Sequence, residues 1–169
     1  ERPRAAQAVH GVAGERNEGL RGRGTLMHSG DGDEPVYGSV YLPRKFKIAV
    51  AWPGDNCVDV LANDIGLVPT LSGGSTGEVT GYNVFVGGGL GQSHARPDDT
   101  YPRLASPLGW VRPERAVDVA EAIVTVQRDF GNREDRHRAR LKYLVDERGV
   151  DWVRGKVEER LGERLGDPV

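Results

Sequence analysis

Leu42-Pro43-Arg44-Lys45-Phe46-Lys47-Ile48-Ala49-Val50-Ala51-Trp52 sets three cations, Arg44, Lys45 and Lys47, directly ahead of an apolar run. With Pro43 before it and Pro53-Gly54 after it, the run from Lys47 to Trp52 reads as a strand. Side chains alternate across a strand, so Lys45 and Lys47 are expected on one face and Arg44 and Phe46 on the other. Two neighbouring ammonium groups make a site for a small oxyanion, or for the carboxylates of a large anionic cofactor. A solvated basic strand entrance is the plainer reading of the same residues.

Outward from this stretch the chain divides into strands and then helices. Val36 to Tyr41 reads as a strand before it. Val58-Asp59-Val60-Leu61 and Gly66 to Leu71 are short candidates after it, and Val79 to Val86 is a long alternating one. Gly73 to Gly77 is a turn, and polar, Pro-rich sequence from Gly91 to Pro107 a loop. Pro113 suits a first helical position, and Ala116, Val119, Ala120, Ile123 and Val124 form an apolar stripe that ends at Gly131. Asn132, with Asp135 three residues on, predicts the cap of a second helix, whose buried face is Leu141, Leu144 and Val145 and which stops at Gly149. Asp151 is expected to cap a third, built on Val153, Val157 and Leu161. Strands followed by helices predict an α+β domain, a mainly antiparallel sheet with the C-terminal helices packed on one face. Residues 1–33 carry scattered glycines and no sustained apolar period, so they read as a linker, a disordered arm or sequence foreign to the fold, with the domain spanning 34–166.

Composition narrows the function. A chain of 169 residues suits one domain, burying roughly 70% of its unfolded surface. A net charge of −2 gives no reason to expect nucleic acid or an acidic membrane as partner. No apolar run approaches the roughly 20 residues of a spanning helix, and the segment itself carries no export signal. Cys57 is the only cysteine, which excludes an internal disulfide and an iron–sulfur cluster held by this chain alone, and it reads as a small structural residue. His10, His28, His94 and His137 show no metal-ligand spacing.

Gly87-Gly88-Gly89-Leu90-Gly91 is no dinucleotide fingerprint: the third glycine is missing, and Gln92-Ser93-His94-Ala95-Arg96-Pro97 cannot open an apolar helix. Glycines after a buried strand instead allow backbone to approach a flat ring, or simply another strand. Arg136 and Arg140 are four apart, which on a helix puts both guanidinium groups on one face, ready to bind carboxylates in pairs. Glu134, Asp135, Asp146 and Glu147 interleave with the basic residues there, so a surface laced with ion pairs is the competing reading.

LPRKFK, the Asn63-Asp64 pair in Ala62-Asn63-Asp64-Ile65-Gly66, NVFVGGGLG (Asn83–Gly91) and QRDFGNREDR (Gln127–Arg136), in this order, resemble the sirohaem-containing sulfite and nitrite reductases. The ferredoxin-dependent sulfite reductases are the nearest resemblance and the haemoprotein subunit of NADPH-sulfite reductase the next. The likeness runs from about Glu34 to about Gly162 and implies the sirohaem-domain fold of that family.

By this resemblance the activity is reduction of sulfite to sulfide at sirohaem coupled to a 4Fe-4S cluster, with sulfite as substrate and ferredoxin, or an NADPH flavoprotein subunit, as electron donor. The implied setting is the cytoplasm, or the plastid in a photosynthetic eukaryote. Lys45 and Lys47 match the family's two active-site lysines, and the second of them favours sulfite over nitrite. An ammonium both attracts an oxyanion and donates protons, more readily when crowded by other cations. Arg44 and Arg140 match cofactor-contacting positions. Arg136 is added from its spacing, and Gly87, Gly88 and Gly89 are expected to pack near the macrocycle. His94 and Arg103 also fit the family's pattern, without an assigned role. The family's cluster cysteines, in pairs spaced C-x5-C and C-x3-C, are absent, so the segment is expected to be inactive by itself and to belong to a longer chain that supplies them. A ferredoxin-nitrite reductase and a non-catalytic tetrapyrrole- or oxyanion-binding remnant are the alternatives.

Overall fold

Alternation at its C-terminal end sets the face of the longest strand. In β3 (Val79–Val86), Val84 and Val86 are fully buried and Phe85 between them is partly exposed. The structure, a computed structural model, describes residues 34–74 and 77–169. The expected linker or arm at 1–33 and the tip of the Gly73–Gly77 turn lie outside those residues.

β3 pairs antiparallel with β2 (Ile65–Leu71) on one side and β4 (Ser106–Val111) on the other; the short β1 (Ile48–Val50) joins β2 in parallel. The order is β1-β2-β3-β4, a mainly antiparallel sheet as expected. Ile65 lies opposite Val86 and Leu67 opposite Val84, so these four point to the same face. Onto that face α1 (Ala116–Phe130) brings Val119, Ile123 and Val126, α2 (Leu141–Arg148) brings Leu141, Leu144 and Val145, and α3 (Val150–Leu161) brings Val153 and Val157. Each such side chain contributes about 1.5–3 kcal/mol by leaving water, which makes this layer the main source of cohesion. Among the described residues no helix is long and apolar enough to cross a membrane.

Five expectations need correction. Val36 to Tyr41 is turn, not strand, because the Glu34 carboxylate accepts the Val36 and Tyr37 amides and the backbone turns left-handed at Gly38 and Tyr41. Val58 to Leu61 is no strand either: the Asn56 side chain accepts the Val60 amide at 2.8 Å and starts a 3-10 turn at Val60–Ala62. The stretch read as loop to Pro107 ends in β4, which tolerates Pro107 because it is an end strand with a register shift opposite Phe85. The second helix starts at Leu141 rather than after Asn132. The Asn132 side chain accepts the Glu134 and Asp135 amides at 2.9 and 2.8 Å, which closes a local turn, and Asp135 caps only a 3-10 turn at Arg136–Arg138. In the third helix the cap position falls on Gly149, with Asp151 in the first turn.

Candidate functional site

The segment before β1 is extended, and its burial alternates as the sequence implies. Phe46 packs against the core, while Lys45 and Lys47 on either side of it are exposed. Arg44 is half-buried. Arg44 and Lys45 do not part company as strict alternation predicts, because the chain bends at Pro43-Arg44 and regular strand begins only at Ile48. Both line one cleft of about 630 Å³ together with Leu42, Pro43, Arg133, Arg136 and Ala139. Among the described residues its walls thus hold four cations and no carboxylate. Among the described residues none of Arg44, Lys45 and Arg136 makes an ion pair. One-sign charge around a concave surface raises the local potential for anions.

The cleft wall is fixed from behind by the C-terminal end of α1. Arg128 donates to the Val36 carbonyl at 2.7 Å, and Arg133 donates to those of Val40 and Tyr41 at 3.1 and 2.6 Å. Two arginines of the QRDFGNREDR stretch therefore hold the turn that delivers Arg44 and Lys45. The sequence reading missed this role.

Lys47 is set by a different partner. Asp64, wholly buried, accepts the Lys47 backbone amide at 2.9 Å and the Arg140 Nη2 at 2.9 Å through the same oxygen, Oδ2. Lys47 in turn accepts the Ile65 amide through its carbonyl at 3.0 Å. One carboxylate thus ties the lysine segment to the N-terminus of α2, across 76 residues of sequence. Burial pushes the Asp64 carboxyl above its usual range, opposed by the Arg140 charge and hydrogen bond and by Lys47. Two groups in this junction lack a partner: Asp64 Oδ1 and Arg140 Nε, both buried. A buried guanidinium N–H without an acceptor keeps unused hydrogen-bonding capacity.

The expectation that Arg136 and Arg140 share a helical face is overturned, since the residues between them form a 3-10 turn and a bend. Arg136 lines the open cleft and Arg140 turns inward to Asp64, its side chain only 13% exposed. The three glycines take up structural work within the chain. The Gly87 amide donates to Asp64 and the Gly88 amide to Asn63, at 2.9 and 3.0 Å. A Cβ on Gly88 would stand 2.1 Å from the Leu61 carbonyl oxygen, so only glycine fits there. A Cβ on Gly89 would fall 2.8 Å from Arg140 Nη1, which places that glycine flat against the guanidinium. Arg103 also gains a role: it donates to Gly87 O at 2.9 Å and Ser106 Oγ at 2.9 Å and so anchors the glycine run to β4. Cys57 is exposed in a turn, and among the described residues no cluster of His, Cys, Asp and Glu could hold a metal ion.

Comparison with known proteins places this geometry. Residues 25–165 match the family model described as nitrite and sulphite reductase 4Fe-4S domain. The sulfite reductase (NADPH) hemoprotein beta-component of Methylobacterium radiotolerans is 53% identical over 135 residues, covering 80% of this chain and 21% of that protein. Its counterpart in Staphylococcus saprophyticus is 48% identical over 146 residues, 86% of this chain and 25% of that protein. Among solved structures, the Mycobacterium tuberculosis NirA protein superposes with a TM-score of 0.62 at 32% identity, over 76% of this chain and 21% of that one. The chain spans about a fifth to a quarter of the length of the relatives it matches.

Proposed function

This chain belongs to the nitrite and sulphite reductase 4Fe-4S domain family, and from that premise we propose that it forms the cationic wall of a sulfite reductase active site. The observation that carries the proposal is the cleft lined by Arg44, Lys45, Arg133 and Arg136 without a carboxylate, beside the Asp64 junction that sets Lys47 and Arg140. Sirohaem is a polycarboxylate, and the residues present fit it. Arg44 and Arg136 offer guanidinium groups that make no ion pair among the described residues, and the Arg140 Nε is a buried donor without an acceptor there. When bound, sirohaem coupled to an iron–sulfur cluster supplies the electrons for reducing the sulfur oxyanion. Lys45 and Lys47 attract that oxyanion and hold protons at Nζ for the oxygens that depart as water. Arg133 and Asp64 keep the two lysines in place.

The residues here do not fit the cluster. A 4Fe-4S centre takes four thiolates, and the chain has one cysteine, exposed, so the ligands belong to another part of a longer protein. The electron donor is also revised. The two hemoprotein beta-components above carry NADPH in their names, and an NADPH-linked flavoprotein subunit replaces ferredoxin as the proposed donor.

The test uses the full-length protein. Lys45→Ala and Lys47→Ala are expected each to lower sulfite turnover by about 100-fold or more while the sirohaem absorption spectrum stays intact. Arg140→Ala is expected to lower sirohaem content. Turnover within a few-fold of the parent in both lysine variants would remove the lysines from the chemistry.

A further inference from the structure

Two positions past Arg140, Lys142 is the largest fully buried side chain among the described residues. Burial, the helix dipole and a neighbouring cation oppose a positive charge there, with the Asp64 charge acting the other way. It stands in the first turn of α2, at the positive end of the helix dipole, and beside a second cation. Burial, and after it the Arg140 charge, hold its pKa below the ordinary lysine value. Among the described residues no carboxylate hydrogen-bonds to it.

What it does meet is a cage of backbone carbonyls. Lys142 Nζ donates to Gly89 O at 3.1 Å, to Gly91 O at 2.8 Å and to Tyr101 O. The Tyr143 and Tyr101 rings close the cage, with centroids 4.9 and 5.9 Å from the nitrogen. Three acceptors around one nitrogen require three protons. A neutral amine has two, and would turn its lone pair on the third carbonyl. The carbonyls come from both ends of the 91–101 excursion, so the ammonium gathers a loop that would otherwise spread.

Just before that loop lies Gly89, the glycine on which Arg140 rests. Gly89 exchanges hydrogen bonds with Arg103, at 2.7 and 3.0 Å, and presents its bare Cα side to the Arg140 guanidinium. We propose that Lys142 is a positioning residue: its ammonium is a built-in internal cation that fixes Gly89 and Gly91 and thereby sets the orientation of Arg140. The consequence for the cofactor wall rests on the function proposed above, whereas the cage itself does not.

The first measurement needs no variant. In the full chain, nitrogen-15 NMR of the lysine side chains should show Lys142 as an ammonium with solvent-protected protons at neutral pH, and a neutral or freely exchanging amine overturns the cage. The second is hydrogen exchange in Lys142→Met, which keeps the apolar stem. The Gly89 and Arg103 amides should exchange about tenfold faster or more, with the β2–β3 ladder unchanged. Unchanged exchange, or a rise of equal size everywhere, refutes a positioning role. Third, Lys142→Ala should regain loop protection with n-propylammonium and not with 1-propanol; equal rescue by both reduces Lys142 to packing. Loop opening in Lys142→Met with sirohaem uptake unaltered overturns the link to Arg140. If Arg140→Ala is equally silent in that assay, the fault lies with the cofactor-wall reading instead.

Discussion

Where α1 meets α3, Asp129 accepts from Arg128 at 2.7 Å and from Arg160 at 2.8 Å, and Arg154 reaches Glu158 at 2.9 Å. Around the cleft, Arg44, Lys45 and Arg136 stand with no such partner among the described residues. Both regions are arginine-rich and both are partly open to water, so composition does not separate them. Pairing does. Matched surface charges contribute about 0–1 kcal/mol apiece and ask for nothing further. Unmatched charges of one sign repel, and the repulsion is relieved only when an anion arrives. On the function proposed above, the flank serves as scaffold and the cleft as the binding site.

The sharpest way to break this contrast is at Asp64, the one carboxylate that serves the cationic side. Asp64→Ala removes the partner of a largely buried arginine and the acceptor of the Lys47 amide together. A loss of about 3–5 kcal/mol in denaturant unfolding is expected, since the change strands a buried charge. A loss below about 1 kcal/mol would mean that Arg140 finds water as easily as it finds Asp64. Gly88→Ala comes next. Its Cβ meets the Leu61 carbonyl, which belongs to backbone and cannot swing aside, so about 1–3 kcal/mol is expected, with Asp64→Ala additive only in part because the two sites share the Asn63-Asp64 backbone.

Most of the scaffold was legible from periodicity. The stripe of Val119 and Ile123, the run of Leu141, Leu144 and Val145, and the alternation of β3 each specify a buried face by local spacing alone. The failures have local causes too. Glu34 and Asn56 offer side-chain acceptors to nearby amides and bend segments whose apolar content suits strands. At the site, LPRKFK announced its charge, and its alternation survives at Phe46. What spacing did not reveal is partner choice. Arg136 and Arg140 look alike as letters, yet one faces the cleft and the other faces Asp64 because the chain between them never becomes α-helix. Lys142 hid for the same reason: nothing in ARLKY says that a lysine flanked by Leu141 and Tyr143 points inward. The one available signal was its place among residues of the apolar face, where a charge is out of keeping.

The smallest expected effect sharpens the contrast through acid. Asp129 has its pKa lowered from the ordinary 3.8, chiefly by the Arg128 hydrogen bond, with burial opposing the shift and Arg160 adding to it. A carboxyl that ionises more readily folded than unfolded contributes stability that is fully present above the unfolded value. That contribution is lost as pH falls through the lower folded value. Among the described residues that line the cleft there is no carboxylate to neutralise. Acid should therefore loosen the α1–α3 flank while leaving the cleft's own charge unaltered. Hydrogen exchange followed from neutral pH to below about 3.8 should show protection falling at the C-terminal turns of α1 and α3, and Asp129→Asn should flatten that trend without changing the cleft's affinity for an anion such as sulfate. If Asp129→Asn weakened anion binding as much as Lys45→Ala does, the two regions would be one electrostatic unit, and the division of labour between paired and unpaired charge would be wrong.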